Sequence, residues 1–414
     1  MIEGKNYKIY NDKMENVLPL LAENSIDCIV TDPPYHLESI VKRFGKENSA
    51  ECKEGKDGSF ARLSKGFMGK EWDGGDVSFR IETWQQCLRV LKPGGYLLAF
   101  GGSRTVHRIA CAIEDAGFEF RDEIMWLYGS GFPKSMSISK GIESHQKYGK
   151  AGTSYKKAIE QNCKGESYKI KQPNNEILGD IKEVDRKNYI PETDLAKKWN
   201  GWGTALKPAY EPIIMARKPF KGSCVANVMK WGVGGINIDE CKTEEGRYPA
   251  NIIHDGSKEA IKDMWETDTD ASRYFYCAKA SKKDRDEGLD NFENNIISDG
   301  CIRSNAESAR IFGANPVVKK NIHPTVKPTE LMQYLVRLVA PKGATILDPF
   351  CGSGSTGKAC MFENRERNAD YKFIGVEMTD EYIPIIVARL DYAANQYEYE
   401  KKKIEKEEGA ISLF

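Results

Sequence analysis

Residues 344–358 decide the fold. They read Ala344-Thr345-Ile346-Leu347, then Asp348-Pro349-Phe350-Cys351-Gly352-Ser353-Gly354-Ser355-Thr356-Gly357-Lys358. A short apolar run, Ala344–Leu347, has the character of a buried strand. The glycine-rich turn behind it opens a helix from Lys358. The next apolar run, Phe373–Val376, is a second strand and ends at Glu377. Strand, glycine turn, helix, strand and acid, in that order, describe a parallel βαβ unit that meets a ligand at its turn.

The turn matches several ligands at once. It contains G-x-x-x-x-G-K, but the next residue is Ala359, where a phosphate loop needs a Ser or Thr hydroxyl for magnesium. It also spells G-x-G-x-x-G with the acid Glu377 beyond it, as in a dinucleotide site. S-adenosylmethionine is a third fit. Asp348 would face its amino-acid end, Gly352 and Gly354 would allow close backbone approach, and Glu377 would take the ribose hydroxyls. A helix entry with no ligand is the plainer alternative. Cys351 reads as a small packing residue.

Working outward, the first 130 residues alternate in the same way. Ile26–Val30 is a strand ending in Asp32-Pro33-Pro34-Tyr35. Ile81–Leu91 has a helical period, Lys92-Pro93-Gly94-Gly95 stops it, and Tyr96–Phe100 is a buried strand. Arg104–Ala116 is a helix and Phe118–Tyr128 a strand. Such alternation implies a Rossmann-like α/β fold, a parallel sheet with helices on both faces. Near the carboxyl end, Thr329–Val339 and Thr379–Asn395 are helices, and Glu398–Glu408 is a charge run. Between these halves, 133–198 is rich in Lys, Glu, Asn and Ser without apolar period. It reads as a mobile insertion, with a small helical lid as the alternative. Ala209–Arg217 returns as a strand, followed by short candidates at Tyr248–His254 and Arg273–Ala278.

The Asp32-Pro33-Pro34-Tyr35 turn carries chemistry. Two prolines fix the backbone and remove two N–H donors, so neighbouring carbonyls lose their internal partners. A carboxylate, a free carbonyl and an aromatic face are then held together. That set suits an exocyclic amine on a planar base: the amine donates to Asp32 and to the Pro33 carbonyl, and the ring stacks on Tyr35. A rigid turn with a packed Tyr is the bland reading of the same residues.

Composition bounds the rest. The 414 residues hold 40% hydrophobic and 10% aromatic side chains, enough for a sizeable core. The 61 basic residues balance 61 acidic ones, which excludes a histone-like coat but allows a local basic groove. No run approaches a membrane span, so no membrane partner is expected. Eleven scattered cysteines without C-x-x-C argue for reduced thiols and a cytoplasmic protein.

With both motifs in place, the sequence resembles the amino-group DNA methyltransferases that make N6-methyladenine or N4-methylcytosine. Asp32-Pro33-Pro34-Tyr35 looks like their catalytic motif, and Asp348-Pro349-Phe350-Cys351-Gly352-Ser353-Gly354 like their cofactor motif. Catalytic before cofactor motif is the circularly permuted order of the beta class. His323-Pro324-Thr325-Val326-Lys327-Pro328 is also typical, and in that class lies near the methionine end of the cofactor. Asp12 stands where the family has an acid for the cofactor adenine, although Asn11 replaces the usual glycine before it. Arg247–Asn251, Tyr274–Lys279 and Arg285–Gly288 are similar to segments of phage and mobile-element methyltransferases.

The resemblance implies S-adenosyl-L-methionine as cofactor, double-stranded DNA as partner and often a homodimer. It implies catalytic roles for Asp32, Pro33, Pro34 and Tyr35. Cofactor contacts would come from Asp12, Thr325, Lys327, Asp348, Phe350, Gly352, Gly354, Thr356 and Glu377, with no metal. It divides the chain into a catalytic half (1–130), a polar insertion or lid (131–205), a return strand with an inserted target-recognition region (206–320), a cofactor half (321–395) and a charged tail (396–414). Target recognition in that class draws on the whole stretch from about 131 to 320. Trp199 and Trp202 near Lys207 offer stacking groups there. Trp72 and Phe67 are candidates for closing over an extruded base. Asp32 in first place favours adenine over cytosine, whose enzymes more often have Ser there. RNA, a protein glutamine, or an inactive DNA-binding module remain as alternatives.

Overall fold

The computed structural model describes residues 1–35, 76–129, 135–149, 167–173, 181–187, 189–243, 246–257, 274–298, 301–303 and 317–395. Phe67, Trp72, most of the loop after Tyr35 and the charged tail lie outside the described residues. The chain forms two compact units. One comprises 1–129, 210–302 and 319–414, and the other 130–209 and 303–318.

The larger unit is built on a ten-stranded mixed sheet. Its strands are β1 (Ile2–Gly4), β2 (Tyr7–Asn11), β3 (Ile26–Thr31), β4 (Leu91–Phe100), β5 (Glu119–Leu127), β8 (Tyr210–Arg217), β9 (Ile252–His254), β10 (Phe275–Tyr276), β14 (Thr345–Asp348) and β15 (Lys372–Glu377). The order is β1-β2-β15-β14-β3-β4-β8-β5-β9-β10. Neighbours from β2 to β4 run parallel, whereas β8 runs antiparallel to both β4 and β5.

Period-two alternation fills both faces. Cys28, Val30, Leu98 and Phe100 pack on one side, with α8 (Thr329–Val339), α9 (Ser355–Arg367) and α10 (Ile383–Ala394). Ile29, Leu97, Ala99 and Leu347 pack on the other, with α1 (Met14–Val17), α2 (Ile81–Val90) and α3 (Val106–Asp115). Trp84 of α2 is fully buried, and its indole N–H donates to the Ser78 carbonyl at 3.0 Å. Burying a side chain of that size with its polar atom satisfied is among the larger single gains a core offers.

One boundary differs from expectation. β4 starts at Leu91, before Lys92-Pro93-Gly94-Gly95, and its pairing with β3 shifts between Ile26 and Cys28. The extra residues are accommodated as a bulge. Gly94 takes φ +82, and a Cβ on Gly95 would come within 2.7 Å of the Asp27 carbonyl. Lys92 pairs with Asp27 at 2.6 Å.

The smaller unit places regular elements in 133–198, where the sequence reads as a mobile insertion or a small helical lid. It holds α4 (Ile138–Tyr148), a two-stranded antiparallel sheet of β6 (Ser167–Pro173) and β7 (Ile181–Lys187), and α5 (Asp194–Lys198). Ser137 caps α4, and Gly149 ends it in the left-handed region at φ +69. α4 packs on α5 through small and polar groups. The Ser139 hydroxyl donates to the Ala196 carbonyl at 2.7 Å, and Glu143 is buried and accepts from the Glu192 N–H. The apolar period of this stretch is therefore short and is not sustained along the sequence. Trp199 and Trp202 meet edge to face at 5.1 Å, with Trp202 exposed. The short α6 (Cys224–Trp231) and α7 (Lys282–Asp286), and strands β11 (Asn295–Ser298), β12 (Cys301–Arg303) and β13 (Val317–Lys319), are the remaining α-helices and strands among the described residues. Among the described residues no helix is long and apolar enough to cross a membrane, and the described cysteines are free thiols.

Candidate active site at the carboxyl ends of β3 and β14

The site follows from strand order. From β14 the chain crosses through α9 to β15 on one side, and from β3 through α2 to β4 on the other. β14 and β3 are adjacent and parallel, so a crevice opens at their carboxyl ends, where open α/β sheets take ligands. Asp348 ends β14, and Asp32 follows β3 directly.

Asp348 is sealed. It is 2% exposed. Its Oδ1 accepts from the Thr31 hydroxyl at 2.6 Å and the Phe350 N–H at 3.1 Å, and its Oδ2 from the Thr356 hydroxyl at 2.6 Å. Burial pushes its carboxyl up to about 6, against the pull of those hydrogen bonds. The glycine turn wraps over it. Gly352 and Gly354 take φ +55 and +75. The Gly352 N–H donates to Glu377 Oε2 at 2.8 Å, and the Thr379 N–H to Glu377 Oε1 at 2.8 Å. Burial raises the Glu377 carboxyl above its ordinary value despite these N–H donors.

Asp32 is open by comparison. Its Oδ1 accepts from the Tyr35 hydroxyl at 2.7 Å, and its Oδ2 from the Lys327 ammonium. The Pro34 carbonyl accepts from the Ser78 hydroxyl at 2.5 Å. The Pro33 carbonyl has no hydrogen bond among the described residues. Tyr35 packs beside Gly102, where a Cβ would meet its ring at 3.2 Å. Burial first, then the Asp32 carboxylate, keep the Tyr35 phenol well above its usual range.

The His323–Pro328 segment joins the two halves. A Cβ on Gly352 would stand 2.9 Å from His323 Nε2, and the His323 ring meets Tyr382 edge to face. Four residues on, Lys327 reaches Asp32 and lies 4.8 Å from the Phe100 ring centroid. Burial works to lower the Lys327 ammonium, but the Asp32 and Glu211 carboxylates outweigh it and hold it above its ordinary value. Lys327, expected with the cofactor group, thus sits with the turn residues. Thr325 is exposed, with its N–H on His323 Nδ1 at 3.3 Å. Asp12 lies beside the other end of the site: its N–H donates to the Glu377 carbonyl at 3.1 Å, while its exposed carboxylate accepts from Lys13 and Asn16.

Two groups of residues were missed by the sequence reading. Glu211 of β8 lies 3.6 Å from Lys327. Only the strand order brings it there. The second group explains Lys358, the lysine of the phosphate-loop pattern. It is fully buried and pairs with Asp284 and Glu287, both at 2.9 Å. Burial works to raise the Asp284 carboxyl, but Lys358 and Thr329 outweigh it and hold it below its usual range. The fully buried Arg389 donates to the Ser353 carbonyl at 2.5 Å. Lys358 therefore braces the start of α9 and is not aimed at a phosphate. The signal was present in Arg285-Asp286-Glu287-Gly288, whose charges and glycine meet α9 and α10: a Cβ on Gly288 would come within 2.7 Å of Tyr392.

The profile of the DNA methylase family, the N6/N4 amino-methyltransferases, matches residues 26–388. This chain belongs to that family. M.HindIII of Haemophilus influenzae, a Type II methyltransferase, is 26% identical over 414 residues, covering 95% of this chain and 98% of that protein. M.HpaI of Haemophilus parainfluenzae is 21% identical, covering 91% of this chain and 72% of that protein. The DNA adenine methyltransferase YhdJ of Escherichia coli is 37% identical over 84 residues, 20% of this chain and 26% of its own. The cytosine-N4-specific PvuII DNA methyltransferase covers 93% of this chain and 86% of its own, at 14% identity and a TM-score of 0.43.

Proposed function

We propose that this methylase transfers a methyl group from S-adenosylmethionine to the exocyclic amine of a base in double-stranded DNA, with adenine N6 as the target. The observation that carries the reading is the Asp32 carboxylate next in sequence to a Pro33 carbonyl that has no hydrogen bond among the described residues, one strand away from the Asp348–Gly354 turn. Asp32 before the two prolines supports adenine, on the family pattern. The catalytic turn preceding the cofactor turn in the chain supports a permuted beta-class enzyme. Residues from about 131 to 320 supply target recognition in this reading.

The groups present fit the cofactor. Gly352 and Gly354, at φ +55 and +75, turn the backbone sharply between β14 and α9, and the Glu377 carboxylate is held at that turn by the Gly352 and Thr379 N–H groups, placed for a ribose. S-adenosylmethionine, when bound, supplies an electrophilic methyl whose bond to the sulfonium breaks as the N–C bond forms. The protein does the rest by placement. The base leaves the duplex stack to reach the crevice. Asp32 and the Pro33 carbonyl accept the two amine hydrogens, which directs the nitrogen lone pair outward. Tyr35 stacks on the ring. The proton that the methylated nitrogen sheds passes through Asp32 to water.

The test is transfer of labelled methyl to unmethylated genomic DNA, with the product digested to nucleosides and identified by mass. N6-methyladenine is the expected product. N4-methylcytosine overturns the base, and label only in RNA or protein overturns the substrate.

A further inference from the structure

Each Asp32 oxygen already accepts one hydrogen bond, so an incoming substrate amine competes with a resident donor: Tyr35 holds Oδ1 and Lys327 holds Oδ2. The stronger competitor is Lys327, because an ammonium on a carboxylate in a half-buried site is held by charge as well as by a hydrogen bond. The side chains of Lys327 and Asp32 are 9% and 21% exposed. An amine that displaced Lys327 into apolar surroundings would leave a buried cation without an anion, at heavy cost.

The structure contains an answer to that cost. Glu211 Oε2 is buried, has no hydrogen-bond partner among the described residues, and points at Lys327 Nζ from 3.6 Å. Its ion pair with the Lys327 ammonium is slightly longer than a direct hydrogen bond. The other groups facing it are Tyr35 and Tyr128, both neutral phenols, with Lys279 lying over the Tyr128 ring at 3.5 Å. A shift of Lys327 by about 1 Å would exchange a direct bond to Asp32 for a direct bond to Glu211 at normal hydrogen-bond length.

We propose that Glu211 is a positioning residue for methyl transfer: it takes the Lys327 ammonium when the base enters, which frees Asp32 to accept the substrate amine. Glu211 acts only through Lys327 and touches neither substrate nor cofactor. The proposal rests on Asp32 being the group that receives the amine.

The test is a two-by-two comparison of wild type, Glu211→Gln, Lys327→Met and the double variant. Initial rates on unmethylated genomic DNA give kcat and KM, and equilibrium dialysis with labelled S-adenosylmethionine gives the cofactor Kd. Glu211→Gln is expected to lower kcat by about tenfold or more while the cofactor Kd stays within about twofold. In the Lys327→Met background the same substitution is expected to change kcat by less than about twofold, because the cation it serves is gone. An unchanged kcat in the single variant, or an equal loss in both backgrounds, overturns the proposal. Asp32→Ala, run alongside, separates the two levels. If it retains activity, the proposed function of the turn fails. If it is inactive while Glu211→Gln behaves as wild type, only the role of Glu211 fails.

Discussion

Asp348 and Asp32 stand at the ends of neighbouring parallel strands, and their surroundings are opposites. Asp348 is closed in by two threonine hydroxyls and a backbone N–H, all local to the sheet and its turn. Asp32 is reached by a tyrosine three residues away and by a lysine 295 residues away. The first arrangement holds a loop in shape, because its donors belong to the backbone and to short side chains with little freedom. The second can rearrange, since a lysine stem is long and a second carboxylate stands near its end. In the proposed function, two identical side chains one strand apart divide the work between scaffold and chemistry. Environment makes the division.

The sharpest way to break this comparison is Asp32→Ala. It should reduce methyl transfer by about 10²-fold or more, the loss expected when an oriented polar group at the reacting atom is removed. Thermal unfolding should remain within a few degrees of wild type, because Glu211, 3.6 Å from Lys327 Nζ, keeps an anion beside the buried ammonium. Equal losses of activity and of stability would make Asp32 a scaffold residue like its neighbour.

Asp348→Ala should act in the reverse sense. It leaves the Thr31 hydroxyl without its acceptor and the Thr356 hydroxyl with only the Val30 carbonyl at 3.4 Å, and it opens a hole beneath the turn. A stability loss of about 3 kcal/mol by denaturant titration is expected, with activity falling as a consequence.

Asp348→Asn sharpens the point through pH. The native carboxyl is pushed up to about 6, above the ordinary aspartate value it has when unfolded. The native state then binds more protons than the unfolded state between about pH 4 and 6, so this group's contribution to stability falls as pH rises through that window. The gap between wild type and Asp348→Asn should shift in favour of the amide by on the order of 2 kcal/mol from pH 4.5 to 7.5. A pH-independent gap would remove the description of Asp348 as a sealed carboxyl.

The smallest effect belongs to Gly352→Ala. A Cβ at φ +55 would press to 2.9 Å from His323 Nε2. About 1–2 kcal/mol of strain is expected, read as a weaker cofactor Kd with the Asp32 side of the site unchanged.

Much of the architecture was legible because it is local. β3, α8, β14 and β15 show unbroken apolar runs or a clean helical period, and the structure places them within a residue or so of the expected bounds. The Asp32 and Asp348 turns were visible because prolines and glycines leave a distinct mark where a strand stops. The smaller unit was illegible for the opposite reason: α4 and α5 meet through Ser139, Glu143 and Ala196, which carry no hydrophobic signal. The start of β4 was misplaced because Pro93, Gly94 and Gly95, ordinarily strand breakers, sit in a bulge within the strand.

By itself the sequence determined the alternation of strand and helix, the two turns and their order along the chain. Those features depend on neighbours within a few residues, where period and backbone freedom act directly. Tertiary structure alone decided which charges meet. Lys327 on Asp32, Glu211 near Lys327, and Lys358 between Asp284 and Glu287 join residues separated by tens to hundreds of positions. No periodicity encodes such pairs. They are selected when the sheet closes, because a charge taken out of water must find its partner within a few ångströms or destabilise the fold.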